Sequence, residues 1–463
     1  MPTAPFHPVS GPSGLPLLGN LPAFRRDPLA FFAHLRDEYG DVVGWSLGSR
    51  RLTQLSHPEH IAELFGGSQE QFRPVDISWV FRQLVGDSVI LSQGADWRRK
   101  RNLVQPAVRP RQVRGYAATM VDCAMDAARG WADRQRIDVE QEMNLLTQRI
   151  VVRTLFGNDL GDRARAVADA MEVAALELGA ELRGIGMLLP DWARTPARRR
   201  VLAAVATIDA EVGRLIRARQ AAECGIGDGD DALGMLLAAR DEEGNRLTAR
   251  QVRDEAVTLW GAGHETTSVG LTWCWYLLSA APEVRDRLTA ELDGVLGGRP
   301  PTFDDYDRLV WTRQVVKEAL RLYPPVWVVV PRITHGGATL GGEPVPDGTT
   351  ICCSPWSTHR DPRWFPDPDA FRPERWDADR KDTASEQAWF PFGGGARTCL
   401  GARFALVEMS LVIATLAQRF DLDIDPGVVE TAPGLQLRPA TAMRATLRDR
   451  ELCLSGQVNR TDV

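Results

Sequence analysis

The residue of this chain with the richest chemistry is Cys399, in the stretch FPFGGGARTCLGARFALVEMSLVIATLAQRF from Phe390 to Phe420. Three consecutive glycines lead toward it, and an apolar, helix-like run follows. A glycine-rich loop that opens a helix often cradles phosphate. GGGARTCLG, however, lacks the Gly-Lys-Ser/Thr ending of a P-loop, lacks GxGxxG, and has no clean strand before it. A cysteine-protease nucleophile needs a partner histidine, and the sequence singles none out. What remains is a metal thiolate. The start of a helix offers unpaired N–H groups and a positive dipole end, which stabilise a thiolate and temper its electron donation. Glycines let a flat macrocycle lie against the backbone, and Arg397, two residues before the cysteine, can reach a carboxylate on that macrocycle. Heme iron held by a cysteine fits these features.

Two further groups stand out. Gly261-Ala262-Gly263-His264-Glu265-Thr266-Thr267 lies in the middle of an apolar helical pattern. Each glycine there costs about 1 kcal/mol relative to alanine, and a carboxylate in such a core needs a partner. One reading is a helix–helix crossing with a polar kink. The other is a wall above a planar ligand, with Ala262 and Thr266 on one face and an acid–alcohol pair for moving protons. The second group is Glu318 and Arg321, one helical turn apart among Val315, Ala319, Leu320 and Leu322. Burial there calls for a further partner, which Arg375 in the Pro-broken segment Phe371–Trp376 can supply.

The elements that must position these residues are mostly helical. Thr248 and Gln251 make a capping box that opens a helix ending before Pro282. Its thirty-odd residues span roughly 50 Å and are apolar on several sides, so it should run through the core. Asp138 to Phe156 reads as another helix, with Met143, Leu146, Ile150 and Leu155 near one face. Asp41–Leu47 and Arg51–Ser56 read as a hairpin, and Leu340 to Cys353 as short strands with Gly turns. GIGDGDD, residues 225–231, reads as an acidic loop. The expectation is a mainly α fold with a smaller β region, in one unit over 1–463. A Pro-rich lead covers about 1–20, and a short tail about 450–463.

Length and composition agree. The chain has 463 residues and 44% hydrophobic content, enough for a large enzyme core. A net charge of -6 argues against nucleic acid as a partner. Arg98-Arg99-Lys100-Arg101 and Arg198-Arg199-Arg200 are local basic runs, and the second reads as a solvated helix face. The seven cysteines form no CxxC pair, which argues against disulfides and structural zinc. With no membrane span in the N-terminal lead, the expectation is a reducing, cytoplasmic setting.

Together these motifs resemble those of the cytochrome P450 superfamily of heme-thiolate monooxygenases. Phe392-x-x-Gly395-x-Arg397-x-Cys399-x-Gly401 matches the family's heme loop at every defined position. Ala262–Thr267 matches its (A/G)GxxTT helix, with Glu265 where many members carry Asp. Glu318-x-x-Arg321, Phe371–Trp376 and Trp97-x-x-x-Arg101 match its other signatures. The resemblance implies the family's triangular helical prism with a long central helix. It implies heme b (iron protoporphyrin IX) with Cys399 as axial ligand and Phe392 packed beside the thiolate. Trp97, Arg101, Arg332 and Arg397 would bind the propionates. Thr266 and Glu265 would relay protons, and Glu318, Arg321 and Arg375 would lock the core below the heme loop; His264 would be structural. Ala262, Gly263, Val326 and Trp327 would face the substrate, with more of the wall from Val75–Val89 and 165–190.

The implied reaction inserts one atom of O2 into a hydrophobic small molecule: a terpenoid, a polyketide or macrolide, or a fatty acyl chain, in secondary metabolism. The HRDP segment around His359 resembles the fatty-acid-hydroxylase-like branch more than the camphor-type branch. Electrons would come from a ferredoxin or flavodoxin with its NAD(P)H reductase. Arg98-Arg99-Lys100 is either its docking patch on a monomer or a merely solvated face. Two rivals stay open: a heme-thiolate peroxygenase or isomerase, against which the intact Glu265-Thr266 pair argues, and a non-catalytic hydrophobic-ligand binder.

Overall fold

The computed structural model describes residues 9–75, 78–157, 164–183, 189–221, 231–380 and 383–450. Most of the expected 225–231 loop, residues 1–8 of the lead and residues 451–463 of the tail lie outside these. A helix from Ala249 to Ala280 runs through the centre. Thr248 caps it, its side chain accepting from the Gln251 N–H while Gln251 closes the reciprocal bond, so the expected capping box forms. Trp260, Trp273 and Leu271 on this helix have no exposed surface.

The glycines of that helix serve its packing. A Cβ on Gly261 would lie 3.0 Å from Met171 Cε, and one on Gly263 3.3 Å from Val151 Cγ2. Those neighbours belong to the helices Ala164–Arg183 and Val139–Phe156, the latter capped by the Asp138 side chain. The helix-crossing reading therefore explains Gly261 and Gly263, while Ala262 and Thr266 are left to look elsewhere.

Sheets flank the helical body. The largest orders its strands Val9–Ser10, Val42–Leu47, Arg50–Leu55, Thr350–Cys353, Arg332–Thr334 and Phe72–Pro74. Its hairpin turns at Gly48, where φ is +59°. A second sheet joins Phe420–Ile424, Arg444–Asp449 and Arg136–Asp138. A two-stranded hairpin, Thr431–Pro433 with Leu437–Pro439, lies against the central helix, where Trp273 Nε1 donates to Leu437 O at 2.7 Å.

Beneath the cysteine loop, Glu318 and Arg321 are completely buried. Arg321 donates to both Glu318 oxygens, at 2.8 and 2.9 Å. Arg375 Nε, Trp376 Nε1 and the Arg372 N–H add three more bonds to the same carboxylate. Arg321 also donates to His359 O, and His359 Nε2 accepts from the Phe390 N–H at 3.0 Å. Phe390 starts the cysteine loop, so the loop is tied to the buried carboxylate through one imidazole. That tie needs a neutral ring, and burial with Arg321 beside it holds the His359 pKa well below its ordinary value.

The basic runs depart from expectation. Lys100 has no exposed side-chain surface and is held by Asp87 and Asp96, and Arg99 pairs with Asp241. Only Arg98 of that run is exposed, so it is no cationic docking patch: a buried ammonium must be neutralised at once by nearby carboxylates. Arg198 is likewise buried against Glu181, whereas Arg199 and Arg200 are exposed, so only Arg198 departs from the expected solvated face.

Removing Glu318 would leave two guanidiniums without their carboxylate. Glu318→Ala should lower stability by about 3–5 kcal/mol, measured by denaturant unfolding, and a loss under 1 kcal/mol would contradict a structural triad.

Candidate active site

A cavity of about 1160 Å³ opens between the central helix and the cysteine loop. Of the five described cysteines, only Cys399 is exposed, and its sulfur faces this cavity. The loop is shaped locally: the Cys399 N–H donates to Phe392 O at 3.0 Å, and the helix Ala402–Ala417 starts just beyond, with Gly401 as its cap. Although the sulfur opens on the cavity, desolvation by the protein packed around it pushes the thiol pKa up, while the Gly401 N–H and the Arg101 guanidinium oppose that push by stabilising the thiolate. The described cysteines elsewhere are buried; at Cys123 and Cys274, burial pushes the pKa up to about 11 and about 12.

Two of the three glycines before the cysteine answer to the protein itself. A Cβ on Gly394 would sit 2.3 Å from the Phe65 ring, and one on Gly395 1.8 Å from Phe65 O, where φ is also +64°. The helix Pro58–Gly66 ends against this loop and requires both. Gly393, at φ +66° with nothing within 4 Å of its Cβ position, is the open one.

Arg101, Arg332 and Arg397 are among the arginines that line the same cavity. Arg101 donates to Thr398 O at 3.0 Å and Arg332 to Val330 O at 2.8 Å. Arg397 donates to Ser92 O at 2.8 Å and to Gln69, and its guanidinium lies 4.5 Å from the Trp97 ring centroid. Among the described residues none of the three has a carboxylate partner, whereas Arg36 pairs with Asp37, Arg253 with Asp209 and Arg363 with Asp41. Burial presses all three pKa values down, that of Arg397 to about 10, with the other two guanidiniums adding to the effect. Three partly desolvated cations around one sulfur-bearing cavity call for an anionic ligand. A flat ring carrying carboxylates, with a metal at its centre for Cys399, fits this set of donors.

On the central helix, Ala262 is open to the cavity and Thr266 is half-buried there, its Oγ1 donating to Ala262 O at 2.7 Å. Glu265, one residue away and about 100° round the helix, is turned to Arg438 on the hairpin strand, with which it pairs. Arg438 also lies 3.5 Å from Glu140. Burial raises the Glu265 and Glu140 pKa values and Arg438 pulls both back. Thr266 and Glu265 thus border the same cavity, but the acid is held by an arginine and not by the alcohol. His264 is buried, and its pKa is pushed down to about 4, so it is neutral.

Val326 borders the cavity half-buried. Trp327 touches the lining, but its ring packs into an aromatic core near Phe24 and Phe32, and Nε1 donates to Gly434 O. Its ring is thus shared between the edge of the cavity and that aromatic core. Gly263 borders the cavity as well, while its Cβ position meets Val151 on the neighbouring helix. Sequence reading missed Arg438. It stands 173 residues from Glu265, in a segment with no motif, and only the hairpin's docking joins them.

Comparison with known proteins gives consistent findings. A family model described as Cytochrome P450 matches residues 9–440. Cyclooctatin synthase of Streptomyces melanosporofaciens is 36% identical over 94% of this chain and 93% of its own. Cyclooctat-9-en-7-ol 5-monooxygenase of the same organism is 37% identical over 92% of each. Pentalenene oxygenase of Streptomyces avermitilis is 33% identical over 90% of this chain and 92% of its own. A solved structure described as retinoic acid bound cyanobacterial CYP120A1 superposes with a TM-score of 0.82 at 27% identity, covering 96% of this chain and 99% of that one.

Arg438→Met should leave Glu265 and Glu140 without their shared cation. Both folded-state pKa values, already raised by burial, then rise further, so the loss is full above the variant's raised values and fades as pH falls through them toward the wild-type folded values. Denaturant unfolding should show a deficit of about 1–3 kcal/mol near neutral pH that shrinks in acid. A deficit that is the same at both would contradict the pairing.

Proposed function

The chain belongs to the cytochrome P450 family, and on that premise we propose that it oxygenates a terpenoid-type carbon skeleton at a heme b held by Cys399. The protein is a monooxygenase, an oxidoreductase that inserts one atom of O2 into a hydrophobic small molecule. The observation that carries the heme assignment is the Cys399 sulfur facing a cavity whose lining includes Arg101, Arg332 and Arg397, none of which has an acidic partner among the described residues. Arg101, Arg332 and Arg397 would take the propionates, Trp97 would back them, and Phe392 would pack beside the sulfur.

Bound there, heme supplies O2 activation with two electrons delivered from outside, electron release from the thiolate favouring O–O cleavage. The chain's own residues do the rest. Thr266 presents a hydroxyl to the cavity, where it can hold a water and pass a proton. Glu265 is the acid behind it, and Arg438 fixes which way that acid points. The Gly401 N–H and Arg101 favour the thiolate form of the sulfur, in opposition to the desolvation that raises its pKa. Val89, Val326, Leu259 and Ala262 make an apolar wall that orders a hydrocarbon and excludes bulk water.

Two relatives bear names that denote oxygenation of an unsaturated carbon skeleton, cyclooctat-9-en-7-ol in one and pentalenene in the other. The apolar wall suits the same class here, which supports a role in secondary metabolism. The electron donor is a separate redox protein, for which a ferredoxin or flavodoxin with its reductase is the natural choice. Among the described residues no helix is long and apolar enough to cross a membrane, and we place the protein in the cytoplasm.

A panel of terpenes and terpene alcohols, scanned for a low-spin to high-spin change in the heme spectrum, should yield a ligand that is then turned over with NADPH and a ferredoxin system. With that substrate, Thr266→Ala should keep heme and ligand binding but form roughly tenfold less product per NADPH, with hydrogen peroxide accounting for the difference. Unchanged coupling would contradict the relay, and a tight ligand that is never oxidised would favour a binder.

A further inference from the structure

Three successive side chains of the central helix, Arg253, Asp254 and Glu255, are buried and point at one stretch of main chain. Arg253 Nη1 donates to Leu84 O at 2.8 Å. Asp254 Oδ2 accepts from the Asp87 N–H at 3.0 Å, and Glu255 Oε1 from the Val89 N–H at 2.8 Å. The fit is close at Gly86, where φ is +56° and a Cβ would fall 2.3 Å from Asp254 Oδ1. On the far side, Lys100 binds Ser92 Oγ at 2.9 Å and Asp87 at 2.7 Å. Segment 84–92 is therefore held along its length by main-chain and hydroxyl contacts from two helices, while its side chains Leu84, Val85, Val89 and Ile90 line the cavity. None of the three helix residues is needed for the chemistry of Cys399 or Thr266. Three ionisable groups buried in a row are costly, and a purely packing role would be met by apolar residues.

We propose that Arg253, Asp254 and Glu255 form a latch that sets the size limit of the cavity by fixing wall segment 84–92 through its main chain. They are positioning residues: they touch no substrate but decide where Val89 and Ile90 stand. A backbone grip has a physical consequence that a side-chain contact lacks, since it leaves the wall side chains free to vary while their distance from the central helix stays constant. Burial pushes the Glu255 pKa up to about 8, so near neutral pH it binds the Val89 N–H as a largely neutral acceptor. Glutamine can copy that acceptor. The proposal rests on the reading of this cavity as the oxygenation site, yet amide exchange reports on the latch whether or not that reading holds.

The test uses heme-loaded full-length protein, the double variant Asp254→Ala/Glu255→Leu, and Glu255→Gln. Hydrogen exchange of the peptide covering 85–92 should be about tenfold faster or more in the double variant and close to wild type in Glu255→Gln. Binding of the bulky azole clotrimazole, followed by its heme spectral change, should gain about tenfold in association rate in the double variant. Imidazole, small enough to pass a closed wall, should stay within about twofold. Unchanged protection of 85–92 in the folded double variant, or equal acceleration of both azoles, would overturn the proposal. Wild type gives a reading that needs no variant. The Asp87 and Val89 amides, gripped from one helical turn, should exchange together through one opening, and exchange of either at the rate of an exposed amide would also overturn it.

Discussion

A fully buried carboxylate organises the half of the molecule that carries the reactive sulfur. Glu318 accepts from Arg321, Arg375, Trp376 and the Arg372 main chain, with no water-facing surface to fall back on. Such an arrangement is stable only when every donor is in place, because each missing one leaves a desolvated charge. That requirement fixes the Pro-broken segment around Arg372–Trp376 against the helix Val310–Leu322. Through Arg321 and His359 it also fixes where Phe390 starts the cysteine loop. The position of Cys399 is thus inherited from an ion cluster whose nearest member, Arg375, lies well upstream of the cysteine loop.

The central helix divides its circumference among separate tasks. Gly261 and Gly263 give up side chains so that two helices can approach. Ala262 and Thr266 keep small and polar groups at the cavity. Glu265 turns to the hairpin arginine Arg438. Between two and three turns earlier, Arg253–Glu255 hold the opposite wall. A period of 3.6 residues lets neighbours in sequence serve different partners, which is why a six-residue motif can combine packing, proton handling and ligand contact.

Much of this was legible in sequence because it is local. The capping box at Thr248 and Gln251, the Asp138–Phe156 helix and the 42–55 hairpin rest on caps, periodicity and turn glycines, all readable within a few residues. The ordered motifs carried the family and its fold. What was not legible depends on distant partners. Lys100 reads as part of a basic surface run until Asp87 and Ser92 are folded over it. Trp327 reads as cavity lining alone, yet its ring also packs with Phe24 and Phe32. The glycine run reads as a bed for a ligand, yet Gly394 and Gly395 yield to Phe65, more than three hundred residues earlier in the chain. Arg438 carries no local mark at all.

The central claim is that Cys399 is the thiolate ligand of a heme iron, and the carbon monoxide spectrum of the reduced, heme-loaded protein tests it most directly. The account predicts the strongly red-shifted Soret band of thiolate-ligated heme, and its loss in Cys399→Ala that still folds. Absence of that band from a heme-replete wild-type sample, or its survival in Cys399→Ala, would contradict the account.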